Sequence, residues 1–165
     1  MFKRLLVFLC VLCMCTNGMA SETGRIYDNA DLFTPEEESF LADLISKFQM
    51  STAMDFVLLT SIEELQDGSQ KQTAYNFYDE NSFGMGRNRS GMLYLIDIYN
   101  RIQNITTFGD LIMYMTDSRI DAAHEVAHEA LKSGNYALAV VQLMAAVKAF
   151  VYSGIPIGQY TYSAE

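Results

Sequence analysis

The chain has 165 residues, half of them hydrophobic, and a formal net charge of −9, which is enough for one domain with a real core. Only two prolines occur, so the composition is not that of a linker or a disordered segment. Twenty acidic against 11 basic residues repel phosphate backbones, which argues against nucleic acid as a partner and suits a hard cation such as calcium.

Residues 1–20 read as a signal peptide. Lys3 and Arg4 form its basic start, Leu5 to Cys15 its apolar stretch, and Asn17-Gly18-Met19-Ala20 the small-residue site that places cleavage after Ala20. The apolar run is short for a membrane span, and none of the cysteines follows a lipobox pattern. Cleavage removes two bases and no acid, leaving nine Lys and Arg against 20 acids, a net charge of −11. Cys10, Cys13 and Cys15 leave with it, so the mature chain has no disulfide, thiolate nucleophile or Cys metal ligand. The expectation is a secreted, extracytoplasmic protein. It becomes membrane-anchored if the native chain continues past Glu165 or the leader stays uncleaved.

Residues 21–33 lead into a first helix. Thr34 is its candidate N-cap, Pro35 its first helical residue, and Glu37 completes a capping box. Leu41, Leu44, Ile45 and Phe48 then recur at helical spacing. Asp55 to Thr60 is a short apolar run that suits a strand buried on both faces. After an acidic loop, residues 69–80 form a second helix that breaks at Asn81–Gly84. The loop Gly84–Gly91 opens into a second strand, Met92–Asp97. Tyr99-Asn100-Arg101 is a turn, and Ile102–Thr107 is its hairpin partner. A short helical piece from Leu111 to Met115 precedes a helix capped by Asp117 or Ser118 and stopped by Gly134. Asn135 caps a last apolar helix, Tyr136–Tyr152, which Gln142 and Lys148 mark as packed within the protein rather than spanning a membrane. Residues 153–165 are a tail. Alternating helices and buried strands give an α/β class with a small sheet of about four strands.

The stretch HEVAH, residues 124–128, fits the H-E-x-x-H zinc motif, and His124 and His128 are the only histidines. On a helical wheel, Ile120, Ala123, Ala127, Ala130 and Leu131 share one face, Glu125 and Glu129 lie opposite, and the histidines fall on the boundary. Leu131 and Gly134 stand where the extended motif needs Gly and His, and no acid or His occurs between Ala130 and Ala164. Zinc and a zinc protease are therefore the remotest reading.

The ordered blocks "YDNADLFTPEEESFL", "MDFVLLT", "AYNFYDENSFGMGRNRSGMLYLIDIYNR", "TTFGDLIMYMTDSRID" and "SGNYALAV" resemble the TPM domain, over about Arg25 to Phe150 and with domain bounds of 25–152. The likeness is to the extracytoplasmic versions of Gram-positive bacteria. It implies a three-layer α-β-α sandwich, Rossmann-like, with a mixed sheet. It also implies several activities: a thylakoid-lumen relative is described as an acid phosphatase, a nematode relative modulates an acetylcholine-gated channel, and some bacterial relatives bind calcium. The family pattern falls on Asp28 and Asp117 and on Gly84, Gly86 and Gly109.

If the strands at 55–60 and 102–107 run parallel, with 92–97 antiparallel between them, one edge gathers Thr60, Ser61, Phe108-Gly109-Asp110 and the Gly84–Gly91 loop. Three functions follow. A calcium-type site would use Asp28 and Asp117, with Asp31, Asp110 and Asp121 as additions; the alternative is an Asx turn at Asp28 and a plain cap at Asp117. A phosphatase would need metal-assisted water attack with Arg87 or Arg89 as phosphate clamp, since cysteine is gone and the R-H-G and D-x-D-x-T patterns are absent. The favoured reading is a non-enzymatic module of the cell envelope that binds a membrane or envelope protein, with calcium as a structural ion.

Overall fold

The structure, a computed structural model, describes residues 24–65 and 68–159, so the leader with its cysteines and Tyr160 and Tyr162 lie outside the described residues. The elements run β1 (Ile26–Asp28), α1 (Pro35–Thr52), β2 (Asp55–Ser61), α2 (Gln70–Glu80), β3 (Gly91–Asp97), β4 (Ile102–Phe108), α3 (Leu111–Tyr114), α4 (Asp117–Lys132) and α5 (Tyr136–Ser153). They form an α/β fold around one four-stranded mixed sheet in the order β1-β2-β3-β4.

The strands' period of two sorts the core into two halves. Phe56 and Leu58 of β2 and Met92, Tyr94 and Ile96 of β3 face α1, α4 and α5. Val57, Leu59, Leu93 and Leu95 face α2 with Ala74, Tyr78 and Phe83. Helix α1 begins with the expected capping box: the Thr34 hydroxyl accepts the Glu37 amide while the Glu37 carboxylate accepts the Thr34 amide. It buries Leu41, Ala42, Ile45 and Phe48, with Leu44 half-buried beside them. Helix α5 is long and apolar enough to cross a membrane by length and composition, but here it packs Ala139, Val140, Leu143, Met144 and Val147 into the core.

Three features depart from the sequence reading. Residues 26–28 are a strand rather than loop: the Leu58 amide donates to the Arg25 carbonyl, and the pair is parallel. A three-residue edge strand carries too little pattern to announce itself. The cap of α4 is Thr116, with Asp117 as the first helical residue. The strand directions also differ. β2 and β3 are parallel and only β4 is antiparallel, because the crossover through α2 returns the chain to the same end whereas the short Ile98–Arg101 turn reverses it. The expected single edge is thus two. Asp28, Thr60, Ser61 and Asp97 lie at the carboxyl ends of β1–β3, and Arg25, Asp55, the Gly84–Gly91 loop and Asp110 lie at the opposite end.

The two crossovers β1–α1–β2 and β2–α2–β3 step the same way across the sheet, yet α1 and α2 cover opposite faces. They therefore have opposite hands, and one of them breaks the right-handed rule followed by about 98 % of such units. The chain leaves the carboxyl ends of β1 and β2 in opposite directions, which is the geometry that opens a crevice in open α/β sheets.

At the other end, Asp55 is fully buried at the head of β2. Its carboxylate accepts from Arg25 Nε at 2.8 and 3.0 Å, from Gln49 Nε2 at 2.7 Å and from the Gly84 amide at 2.8 Å. Replacing Asp55 with Ala orphans these donors and leaves a void. The expected loss is about 3 kcal/mol of unfolding free energy, read from urea titrations followed by circular dichroism.

Candidate functional site

The Gly84–Gly91 loop is a small hairpin of its own, closed by reciprocal backbone bonds between Met85 and Ser90 at 3.0 and 2.9 Å. Gly84 and Gly109 have positive φ, and a Cβ on either would strike backbone, that of Arg89 in the first case and of Asn88 in the second. Their open faces are filled by the loop itself, so the glycines serve close packing of the chain on the chain. Gly86 also has positive φ, but a Cβ there meets nothing within 4 Å.

Two charged groups at this loop, Arg89 and Asp110, are held by their neighbours. Arg89 donates to the carbonyls of Tyr78 and Phe83 and to the Asp79 carboxylate at 2.6 Å, so it caps the end of α2. Arg87 is exposed. Asp110 accepts from Asn88 Nδ2 at 2.7 Å and from the Ser90 hydroxyl at 3.0 Å, tying the end of β4 to the loop. Beneath them Tyr78 stacks on Phe108, with ring centroids 3.7 Å apart. Burial first, and the Asp55 charge second, hold the Tyr78 phenol far above its usual pKa, so it acts as a neutral hydroxyl.

At the opposite end, the crevice between β1 and β2 is closed by its own side chains. Asp28 Oδ1 accepts the Thr60 hydroxyl at 2.6 Å, and Oδ2 accepts the amides of Leu32 and Phe33 at 2.7 and 2.9 Å. The Thr60 oxygen in turn accepts the Ala30 amide at 2.9 Å. This arrangement folds residues 28–33 into an Asx-type turn, with Asp31 exposed and left-handed at φ 52°.

Asp117 and Asp121 are exposed on the first turns of α4. Arg119 between them donates to the carbonyls of Phe150 and Gly154 at the end of α5, and Tyr152 reaches the Ser51 carbonyl just before β2. Helix α4 therefore starts at the Asp55 end. Asp28 lies beside Thr60, five residues up β2, roughly 16 Å along the strand. The structure brings Asp110 together with the glycine loop and Asp117 with Asp121, and separates Asp28 from all of them. Among the described residues no three His, Cys, Asp or Glu side chains come together as a ligand set; ions held by two carboxylates or by carbonyls stay open.

The histidines of HEVAH part company. His124 is half-buried, its carbonyl accepts from Gln103 Nε2 at 3.0 Å, and its Nε2 is buried with no hydrogen-bond partner in the protein. Burial lowers its pKa below the usual value, with the Asp121 carboxylate pulling the other way. His128 is exposed and lines a cleft of about 540 Å³ between the β3–β4 turn and the α4–α5 corner. Asp97 anchors that turn. Buried at 1 % exposure, it accepts the Asn100 amide at 3.0 Å, Asn100 Nδ2 at 2.9 Å and Gln70 Nε2 at 3.3 Å.

Asp55, Asp97 and Arg101 escaped the sequence reading. The two acids do leave a trace, as lone charges at the ends of "DFVLLT" and "GMLYLID", where a buried strand disfavours Asp unless it has partners.

Two outcomes test this geometry. Gly84→Ala and Gly109→Ala are expected to cost clearly more stability than Gly86→Ala, which should lose about 1–2 kcal/mol from its left-handed backbone alone; urea midpoints of the three variants rank them. Because folding depresses the His124 pKa, the unfolded chain takes up the proton first. Stability from this group is full above pH about 6.5 and declines as pH falls below it towards the folded value. The stability difference between wild type and His124→Gln should therefore shrink between pH 7.5 and pH 5.

Comparison with known proteins agrees with this architecture. The N-terminal domain of a protein from P. gingivalis is 19 % identical, with a TM-score of 0.68 covering 88 % of this chain and 92 % of that one. The BA42 protein of the psychrophilic bacterium Bizionia argentinensis is 16 % identical, with a TM-score of 0.64 covering 79 % and 90 %. The N-terminal domain of the cg2496 protein from Corynebacterium glutamicum is 16 % identical, with a TM-score of 0.59 covering 86 % and 88 %. At these identities the likeness is one of fold. No curated protein matches the chain significantly. The family model of the TPM domain matches residues 26–150, most of the chain, and the protein belongs to the TPM domain family.

Proposed function

We propose that this TPM domain is a non-enzymatic binding module of the cell envelope, carried across the membrane by the leader-like residues 1–20 and acting on a membrane or envelope protein. The observation that carries the reading is how the carboxylates are employed. Asp28, Asp55, Asp97 and Asp110 each accept hydrogen bonds from their own or a neighbouring loop. Arg89, one of the two candidate phosphate clamps, is spent on the end of α2. The hydroxyls that sit on a carboxylate, Thr60 on Asp28 and Ser90 on Asp110, are buried and tie loops to strands rather than facing a substrate.

The second reading, a metal-assisted phosphatase, draws on the exposed pair Asp117 and Asp121, one turn apart on α4. In the favoured reading the same pair is where calcium would sit as a structural ion, with an affinity in the range of extracellular modules, roughly 0.1–1 mM.

Both readings meet in one experiment on the chain from Ser21 onward. Hydrolysis of p-nitrophenyl phosphate should stay at the buffer rate with and without millimolar calcium. Calcium should move the amide NMR signals of Asp117 and Asp121 while leaving Asp28 in place. Steady hydrolysis that disappears in Asp117→Asn would overturn the module in favour of the phosphatase. Signals of Asp117 and Asp121 that do not move would remove calcium from it.

A further inference from the structure

The cleft of about 540 Å³ at the carboxyl end of β3 is of the size of small-molecule sites, about 300–1,000 Å³, and nothing in the family pattern points to it. Its walls carry two kinds of surface. Ile96, Ile102 and Leu131 are apolar, while Arg101, His128 and Lys132 bring nitrogen donors. Among the described residues the one acid lining it is Asp97, whose carboxylate accepts from Asn100 and Gln70. In a chain with a net charge of −9, a cleft whose exposed charged groups, among the described residues, are Arg101 and Lys132 runs against the composition.

The turn that presents Arg101 is built rather than loose. Asn100 also donates to the Leu65 carbonyl at 3.0 Å, so the turn is tied to the loop after β2 as well as to Asp97. Arg101 itself stands at φ 56°, a left-handed conformation that side-chain-bearing residues other than Asn and Asp rarely adopt. Gly or Asn would fit that position at lower cost, and the backbone holds an Arg there in an unfavourable conformation. Lys132 makes a single exposed bridge to Glu129 at 3.1 Å, a contact readily exchanged for another anion. The cleft lies between the last turn of α4 and the first of α5, whose dipole ends are opposite in sign, so the side chains set the local charge.

We propose that this cleft binds a small organic carboxylate with an apolar body. The carboxylate is held between Arg101 and Lys132, and the body rests on Ile96, Ile102 and Leu131. The inference goes beyond the binding-module reading, adding a ligand site apart from the Asp117 and Asp121 pair. The guanidinium offers a fork of donors matched to a carboxylate, and the apolar wall makes a hydrocarbon body better than a free inorganic anion.

The probe is 4-phenylbutyrate, with 4-phenylbutanol and 4-phenylbutylamine as its neutral and cationic counterparts, each titrated into the chain from Ser21 onward and followed by amide NMR shifts. The acid is expected to move the signals of Ile98 to Gln103 and of His128 to Tyr136 in a saturable way. It should bind at least tenfold tighter than the alcohol, with the amine weakest, and it should weaken as salt is raised. In Arg101→Gln with Lys132→Gln, the acid should fall to the level of the alcohol while the alcohol is unchanged. Both positions are surface-facing, and the spectrum of the free variant reports whether it is folded; if it is not, Lys132→Gln alone should still cut the preference for the acid severalfold. No saturable shift, shifts centred elsewhere, or equal binding of acid and amine would overturn the site. Phosphate-ester hydrolysis lost in Asp117→Asn would instead overturn the module reading, so the two failures are told apart.

Discussion

The structure depends on a carboxylate without access to water at the head of its central strand. A buried charge costs several kcal/mol unless it is paired and its remaining lone pairs are filled. Asp55 meets that demand with one guanidinium, one side-chain amide and one loop amide, besides its own neighbour's backbone N–H. Each donor comes from a different part of the chain: Arg25 stands just before β1, Gln49 lies in the last turns of α1, and Gly84 opens the loop into β3. Satisfying one side chain therefore fixes where the edge strand joins, where the first helix ends and how the glycine loop sits. The Arg25 guanidinium also lies 4.8 Å over the Phe83 ring, which couples the ion pair to the smaller half of the core.

The same device recurs at the other loop ends. Asp28 folds the segment between β1 and α1, Asp97 folds the β3–β4 turn, and Asp110 ties β4 to the glycine loop. A carboxylate can accept several N–H bonds at once, so it suits the end of a strand where backbone donors have lost their ladder. Of the residues on which the TPM resemblance falls, Asp28, Gly84 and Gly109 fit this device, whereas the exposed Asp117 and the open Gly86 do not. The acids hold loops, and the glycines let those loops lie against each other. A resemblance at such positions is thus compatible with a fold requirement and does not by itself mark chemistry.

How much of this the sequence revealed follows from the range of each interaction. The capping box of α1, the hairpin of β3 and β4 and the apolar face of α4 depend on residues a few positions apart, and all are present in the structure. The sheet's direction depends on which way α2 carries the chain, which no local pattern encodes. Local pattern alone therefore puts Thr60 and Gly109 at one edge, whereas they lie at two. The pairing of Arg25 with Asp55 spans 30 positions, and that of Gln70 with Asp97 spans 27, so neither acid could be assigned a partner in advance. HEVAH shows the converse. Its spacing is local and legible, but its meaning depends on what packs against the helix: His124 is half-buried with no partner for its Nε2, and His128 lines an open cleft.

The acidic surface and the basic cleft are reconciled by distance. At physiological ionic strength, charges are screened over about 8 Å, so the acids spread over the rest of the surface act weakly at the cleft. Arg101 and Lys132 act at contact range, where screening is slight and the apolar wall lowers the local dielectric. The global charge slows the approach of an anion, and the local charge holds it once it has arrived. A site of this kind gains selectivity from the contrast. An inorganic anion gains nothing from Ile96, Ile102 and Leu131, whereas a singly charged, largely apolar molecule gains both contacts. Asp97 keeps its charge beneath the cleft, but its oxygens accept from Asn100 and Gln70, which leaves Arg101 and Lys132 as the exposed charged groups that an anion meets.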